Sequence, residues 1–163
     1  GGSIFAMATD DEFVYVGGAI TQTVRKLWKS DLTQVAESAN YGGAIYAIAT
    51  DDEFVYVGGT NTQTVRKLNK SNLSLVETSA NYGGSIFAMA TDDEFVYVGG
   101  TNTQTVRKLW KSDLSQVAES ANYGGIIRAI AADDEFVYVG GEMNPTVRVI
   151  ENRDLIKIIR RYQ

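Results

Sequence analysis

The stretch that decides the fold is Phe95-Val96-Tyr97-Val98-Gly99-Gly100, and the same six residues occur four times in the chain. The other copies begin at Phe13, Phe54 and Phe136, so the repeat has a period of 41 residues. Four β-branched or aromatic residues that end at a pair of glycines are typical of a buried strand followed by a turn. A fixed period of this length indicates a repeat architecture, in which one unit is used again and again.

Each repeat contains three further segments that resemble strands. In the third copy they cover residues 85–90, 104–110 and 114–120, and turn residues separate them. Of the four strands in chain order, the first has small and medium apolar side chains, and the second, at residues 95–98, is apolar on both faces. The third mixes apolar with basic residues, and the fourth is mostly polar. A four-stranded sheet with this gradient is typical of a propeller blade whose first strand lies along the axis. We therefore predict an all-β propeller, one repeat domain over residues 1–163, with four-stranded blades at residues 1–41, 42–82, 83–123 and 124–163.

Three motifs of the unit resemble the repeats of the YVTN and quinoprotein-like β-propellers. They are Phe-Val-Tyr-Val-Gly-Gly, Thr-Val-Arg-Lys-Leu and Lys-Ser-Asp-Leu, which begin in the third copy at Phe95, Thr105 and Lys111. The Trp-Asp and Gly-His dipeptides of WD-repeat proteins are missing. The resemblance implies the propeller fold, and it carries over no activity because no residue of a quinone site can be matched.

Composition argues against several functional classes. The chain has no cysteine and no histidine, which removes disulfides and the commonest general base and metal ligand. The net charge of −5 argues against nucleic acid as a partner. No apolar run approaches the roughly 20 residues of a membrane-spanning helix. We therefore expect a protein without cofactor that is not an enzyme, and the sequence indicates no compartment.

One rim of the predicted propeller repeats amide and tyrosine side chains. The loop between the second and third strands lies on the same rim as the loop that joins successive blades. This mixture suits a neutral polar ligand such as a sugar, or a peptide. Asparagine also orders turns by bonding its own backbone, so a purely structural role is the other interpretation. The candidate ligand-binding residues are Asn40, Tyr41, Asn61, Gln63, Asn81, Tyr82, Asn102, Gln104, Asn122 and Tyr123.

The opposite rim carries an Asp-Asp-Glu turn in every copy, beginning at Asp10, Asp51, Asp92 and Asp133. A calcium site needs six to eight oxygens that converge from a shaped loop. Three consecutive acidic residues in a hairpin cannot all point inward. We therefore predict solvated turns here and no metal site.

Four blades are few for a closed propeller, and the first strands carry bulky residues such as Phe5, Tyr46 and Phe87. We expect both faces of these strands to be buried, with Phe87 and Met89 between blades. Open end blades would expose large apolar faces, which soluble monomers rarely do. We therefore predict that two chains close an eight-bladed ring as a homodimer; a four-bladed monomer and an assembly that is open or of another size are the alternatives.

Two functional hypotheses follow. The first is a non-enzymatic repeat scaffold that assembles with itself into a closed ring. The second is a multivalent binding module, similar to a lectin, that uses the amide and tyrosine rim. The fourth copy differs most: its last segment, residues 155–162, is either an apolar cap for the final blade or a basic partner patch formed by Lys157, Arg160 and Arg161.

Overall fold

The computed structural model describes residues 2–143 and 146–152, and within these ranges every regular element is a β-strand. The strands form four antiparallel sheets in simple meander order, which we call blades one to four. The alternation of apolar strands with turn residues, predicted from the sequence, is confirmed. The bounds are β1 Ile4–Thr9, β2 Phe13–Gly18, β3 Arg25–Trp28 and β4 Gln34–Glu37 in blade one; β5 Ile45–Thr50, β6 Phe54–Gly59, β7 Arg66–Asn69 and β8 Leu75–Thr78 in blade two; β9 Ile86–Thr91, β10 Phe95–Gly100, β11 Arg107–Trp110 and β12 Gln116–Glu119 in blade three; and β13 Ile127–Ala132, β14 Phe136–Gly141 and β15 Arg148–Glu151 in blade four.

Blades pack on one another through their first strands. Strand β1 packs on β5, β5 on β9, and β9 on β13, so the first strands are the innermost elements. An apolar cluster of buried residues fills each of the three seams between neighbouring blades. No comparable packing joins β1 to β13 in the described part of the chain. The four blades therefore form an arc with one open face at each end.

The inner first strands, β5 and β9, bury residues in the seams on both sides, as expected, but the residues divide between the two faces differently from the simple alternation predicted. In β9, buried Ile86 and half-buried Met89 pack in the seam with blade two, buried Ala88 packs in the seam with blade four, and Phe87 is half-buried. The reason is a bulge: Gly100 pairs with Ile86 but Gly99 pairs with Ala88, so Phe87 is left without a partner in the ladder. A Cβ on Gly100 would lie 1.9 Å from the carbonyl oxygen of Ser85, so this close approach requires glycine.

The unpaired side chains pack on each other along the inner edge of the blades. The rings of Phe5 and Tyr46 stack at 4.8 Å, and Tyr46 meets Phe87 edge-on at 5.0 Å. The guanidinium of Arg128 lies 4.2 Å from the centre of the Phe87 ring. We call these four residues the axial ladder.

Blade four is described as three strands. The fourth strand predicted at residues 155–162, with Lys157, Arg160 and Arg161, lies outside the described residues. In the described ranges there is no helix of the length and apolarity needed to cross a membrane.

Candidate functional site: the seams and the two open faces

Every internal seam is built around an isoleucine that packs against a glycine of the preceding blade. A Cβ on Gly17 would lie 2.6 Å from Ile45, and the equivalent distance is 2.5 Å for Gly58 and Ile86. Gly99 and Ile127 repeat the arrangement at 2.6 Å. All three isoleucines are fully buried. Since real side chains essentially never pack that closely, each seam depends on the absence of a side chain at the glycine.

A polar network closes each seam at the rim of the acidic turns. In the first seam, the Oδ1 of Asp10 accepts hydrogen bonds from the backbone of Glu12 and Phe13. Its Oδ2 accepts the hydroxyl of Tyr15 at 2.8 Å and pairs with Lys70 of the next blade at 3.0 Å. The second seam repeats this pair as Lys111 and Asp51 at 3.1 Å. In these two seams the first aspartate of the acidic turn therefore joins the two blades, while the second aspartate is exposed.

Burial and hydrogen bonding pull the pKa of the seam aspartates in opposite directions. Burial raises the pKa of Asp10, but the hydrogen bonds from Phe13, Tyr15 and Lys70 outweigh it and hold the pKa well below the usual range. The pKa of Asp51 is lowered by the equivalent partners. Burial, and then the hydrogen bond to Asp10, raise the pKa of Tyr15, so the tyrosine stays protonated and donates.

A buried lysine reaches from each of the first three blades to the next. The ammonium of Lys26 donates to the backbone carbonyl of Lys70 at 2.9 Å, and Lys67 donates to that of Lys111 at 2.7 Å. Lys26 also lies 3.8 Å from the centre of the Phe13 ring. Burial lowers the pKa of Lys26 and of Lys108, although nearby carboxylates oppose the shift. These lysines have partners, so they are structural cations and not free nucleophiles.

A tyrosine of each linker between blades fills the other end of the seam. The hydroxyl of Tyr41 donates to the backbone carbonyl of Thr64 in the next blade at 2.6 Å. Its ring lies 5.0 Å from the guanidinium of Arg66, which also donates to the carbonyl of Asn40 at 2.7 Å. Tyr82 with Arg107 and Tyr123 with Arg148 repeat this contact in the second and third seams. Each of the three tyrosines is 2% exposed.

The candidate ligand-binding residues thus divide into two groups. The tyrosines are buried in the seams. The asparagines beside them bond to their own turn and to a neighbouring loop. Asn81, for example, accepts from the backbone of Gly83 and donates to the carbonyl of Thr62, which lies between β6 and β7. Asn61 and Asn102 are exposed and donate to the carbonyls of Gly42 and Gly83. The carbohydrate interpretation stays a prediction, and it now depends on the exposed amides. Two further candidate asparagines, Asn40 and Asn122, make the same hydrogen bonds as Asn81. The candidate glutamines take part through their backbone: the carbonyl of Gln63 accepts from the N–H of Tyr82, and that of Gln104 accepts from the N–H of Tyr123.

Each of the two open faces presents the residues of one side of a seam, without the residues of the other side. Ile4 is the counterpart of the buried isoleucines, yet it is 60% exposed. Gly140 is the counterpart of the seam glycines, and a Cβ placed there would meet nothing within 4 Å. Blade one therefore presents a projecting isoleucine without a glycine, and blade four presents a glycine without an isoleucine.

The charged groups of the open faces also lack, among the described residues, the salt-bridge partners of their counterparts in the first two seams. Lys29 occupies the position of Lys70 and Lys111, and no carboxylate among the described residues pairs with it. Asp133 occupies the position of Asp10 and Asp51; its hydrogen bonds from Phe136 and Glu135 lower its pKa, and no described lysine pairs with it. The axial ladder likewise ends at Phe5 on one face and Arg128 on the other.

The sequence identified the blades but not the residues that define the seams. Isoleucine and glycine occur at these positions in all four copies, so the repeat pattern does contain the residues of the seam contact. The bulge is not visible in the sequence, however, so the repeat did not show which residue of the first strand points into the seam. Within residues 2–143 and 146–152 the acidic turns form no cluster suited to a metal ion.

Tandem antiparallel blades packed through their first strands define the chain as a β-propeller. The same fold occurs in the computationally designed Ika4 protein, with a TM-score of 0.81 and 17% identity over 92% of this chain and 91% of that one. It also occurs in the designed Ika8 protein (TM-score 0.79, 17% identity, 91% of this chain and 46% of that one) and in U3-55K (0.86, 12%, 94% and 50%).

The RRP9 WD40 repeats are similar as well, with a TM-score of 0.86 and 13% identity over 94% of this chain and 49% of theirs. The chain thus spans about half the length of three of these four proteins. At these identities the likeness establishes the fold alone, and it confirms the propeller that the repeat motifs implied. No protein-family model matches the sequence. No curated protein sequence matches it either.

Proposed function

We propose that this chain is a non-enzymatic propeller scaffold that closes a ring by pairing head to tail with a second copy of itself. One observation carries the proposal: the two open faces hold complementary halves of the seam that the chain already forms three times. Ile4 of one copy would pack on Gly140 of the other, as Ile45 packs on Gly17. Because each copy has one face of each kind, two copies would form two equivalent junctions.

Charge supports the same pairing. Lys29 of one copy would meet Asp133 of the other, as Lys70 meets Asp10 at 3.0 Å within the chain. The axial ladder would continue across the junction, because Arg128 and Phe5 are its exposed ends. Such a head-to-tail ring is closed, so growth would stop at two chains and no fibre would form.

Length and exposure also support a ring larger than one chain. Apolar side chains such as Ile4, Phe5, Met7 and Val149 are exposed on or near the end blades, and soluble monomers rarely expose such patches. The chain also covers about half of Ika8, U3-55K and the RRP9 repeats.

A charge-reversal experiment tests the pairing. The variants Asp133→Lys and Lys29→Asp each place like charges across both junctions, which is unfavourable at a specific interface. We expect each variant alone to lose the dimer while it keeps its β-sheet circular dichroism. Mixed in equal amounts, the two variants should restore it, because every junction of a mixed ring again joins lysine to aspartate.

Asp134→Lys is the matched control, since it makes the same change in net charge at an exposed neighbouring position. It should leave the dimer intact. Mixed variants that stay monomeric, or an Asp134→Lys variant that dissociates as readily as Asp133→Lys, would contradict the proposed junction.

A further inference from the structure

The open face of blade one contains a cleft of about 240 Å³ next to Ile4, Val16, Thr23 and Arg25. Their counterparts in blade two are Ile45, Val57, Thr64 and Arg66. Ile45 and Val57 belong to the same buried cluster as the Tyr41 ring, whose hydroxyl donates to the carbonyl of Thr64. The cleft therefore has the lining that receives the linker tyrosine in the next blade.

We propose that this cleft is a binding site for the side chain of a tyrosine in a glycine-rich peptide. The chain itself contains three examples of a tyrosine bound in the equivalent space of the next blade. They are Tyr41, Tyr82 and Tyr123, each in the sequence Ser-Ala-Asn-Tyr-Gly-Gly. The three hydroxyls donate to a backbone carbonyl at 2.6 to 2.8 Å. In each case an arginine lies 4.9 to 5.1 Å from the ring centre.

The polar groups of the cleft lack the partners that their counterparts have. The guanidiniums of Arg66, Arg107 and Arg148 each donate to the carbonyl of the asparagine that precedes the tyrosine. No described carbonyl accepts from Arg25. It keeps the glutamate contact that Arg107 also has, at 3.5 Å to Glu37, but its side chain is more exposed than that of Arg107. A peptide that carries Asn-Tyr would supply both the carbonyl and the ring.

The site does not depend on the proposed ring, because all its described lining belongs to blade one. A junction built like the internal seams would also keep the space open. Tyr41 occupies the equivalent space while blades one and two are packed together. Ligand binding and chain mass are therefore measured on the same samples, so that failure of one proposal is distinguishable from failure of the other.

The test is calorimetric titration of the whole chain with the capped peptide Ser-Ala-Asn-Tyr-Gly-Gly and with its Phe-for-Tyr analogue. We expect one peptide per chain. The analogue should bind roughly three- to tenfold more weakly, because it lacks the hydroxyl that donates to the Thr23 carbonyl. The variant Arg25→Leu should weaken the tyrosine peptide by a similar factor, whereas Val35→Ala, an exposed position outside the cleft lining, should not.

Residues 153–163 lie outside the described part of the chain and include Tyr162, a tyrosine that is able to compete with the peptide. The titration is therefore repeated on the Tyr162→Ala variant. Saturable binding to either protein, with preference for tyrosine over phenylalanine, supports the site. Absence of binding to both proteins, or equal affinity for the two peptides, overturns it. If Arg25→Leu does not fold, the comparison of the two peptides still decides the question.

Discussion

At the scale of single residues, each seam depends on the contact between one glycine and one isoleucine. Gly17, Gly58 and Gly99 leave room that the isoleucine of the next blade fills completely. The same glycine at position 140 faces open space. Glycine is therefore required by packing at three of the four equivalent positions and not at the fourth. The same substitution can be compared at a packed and at an open position.

Alanine at Gly99 should destabilise the chain by about 1–3 kcal/mol, because the new methyl group would overpack Ile127 and Ile130. Alanine at Gly140 should change the stability of the single chain by less than about 0.5 kcal/mol, since nothing lies within reach. Urea unfolding in the Asp133→Lys background, in which we expect single chains, measures both. Equal losses for the two variants would show that position 140 is not open.

The seam aspartates should make stability fall in acid. The pKa of Asp51 is lowered in the folded chain, so its stabilising contribution is complete above the unfolded-state pKa near about 4 and is lost as pH falls towards the folded-state pKa. Asp51→Asn should therefore lower stability at pH 7 and reduce the loss between about pH 5 and pH 2. Asp52→Asn, at the exposed neighbouring residue, is the control. Urea midpoints across this pH range provide the measurement, and an unchanged slope would rule out this role for Asp51.

At the scale of strands and linkers, the sequence predicted the described elements better than their faces. Periodic β-branched and aromatic segments bounded by glycine and aspartate were enough to place the strands. The half-buried position of Phe87 could not be predicted, because the bulge at Gly99 and Gly100 shifts the register by one residue. The sequence allows either a ligand-binding or a structural role for Tyr82, and only packing against the next blade shows that its ring is buried.

Removal of the Tyr82 hydroxyl should weaken the contact between blades two and three. Tyr82→Phe should cost about 0.5–1.5 kcal/mol, because the carbonyl of Thr105 loses its donor. Tyr82→Ala should cost about 3–5 kcal/mol, since it also empties a buried aromatic site. Tyr46→Phe, on the half-buried axial ladder, is the control and should be close to neutral. Thermal unfolding of the three variants tests this, and a Tyr82→Phe variant as stable as the control would exclude a stabilising role for the Tyr82 hydroxyl.

At the scale of the whole molecule, a repeat unit cannot bury both of its faces alone, and four units leave two faces uncovered. Near-identity of the copies makes a junction between chains similar to a seam within one; the first and third copies agree at 38 of 41 positions. The repeat indicated that partners are needed. It did not specify which atoms meet, because the seam contacts follow from the bulge and from the packing of β1, β5, β9 and β13.

The mass of the chain in solution tests this assembly most directly. Light scattering coupled to size-exclusion chromatography should give twice the 17.8 kDa chain mass, constant over a wide range of micromolar concentrations. A constant mass is expected because a ring with two equivalent junctions has no open face left for a third chain. A stable, soluble species of 17.8 kDa at these concentrations, or a mass that keeps rising with concentration, would contradict the two-chain ring.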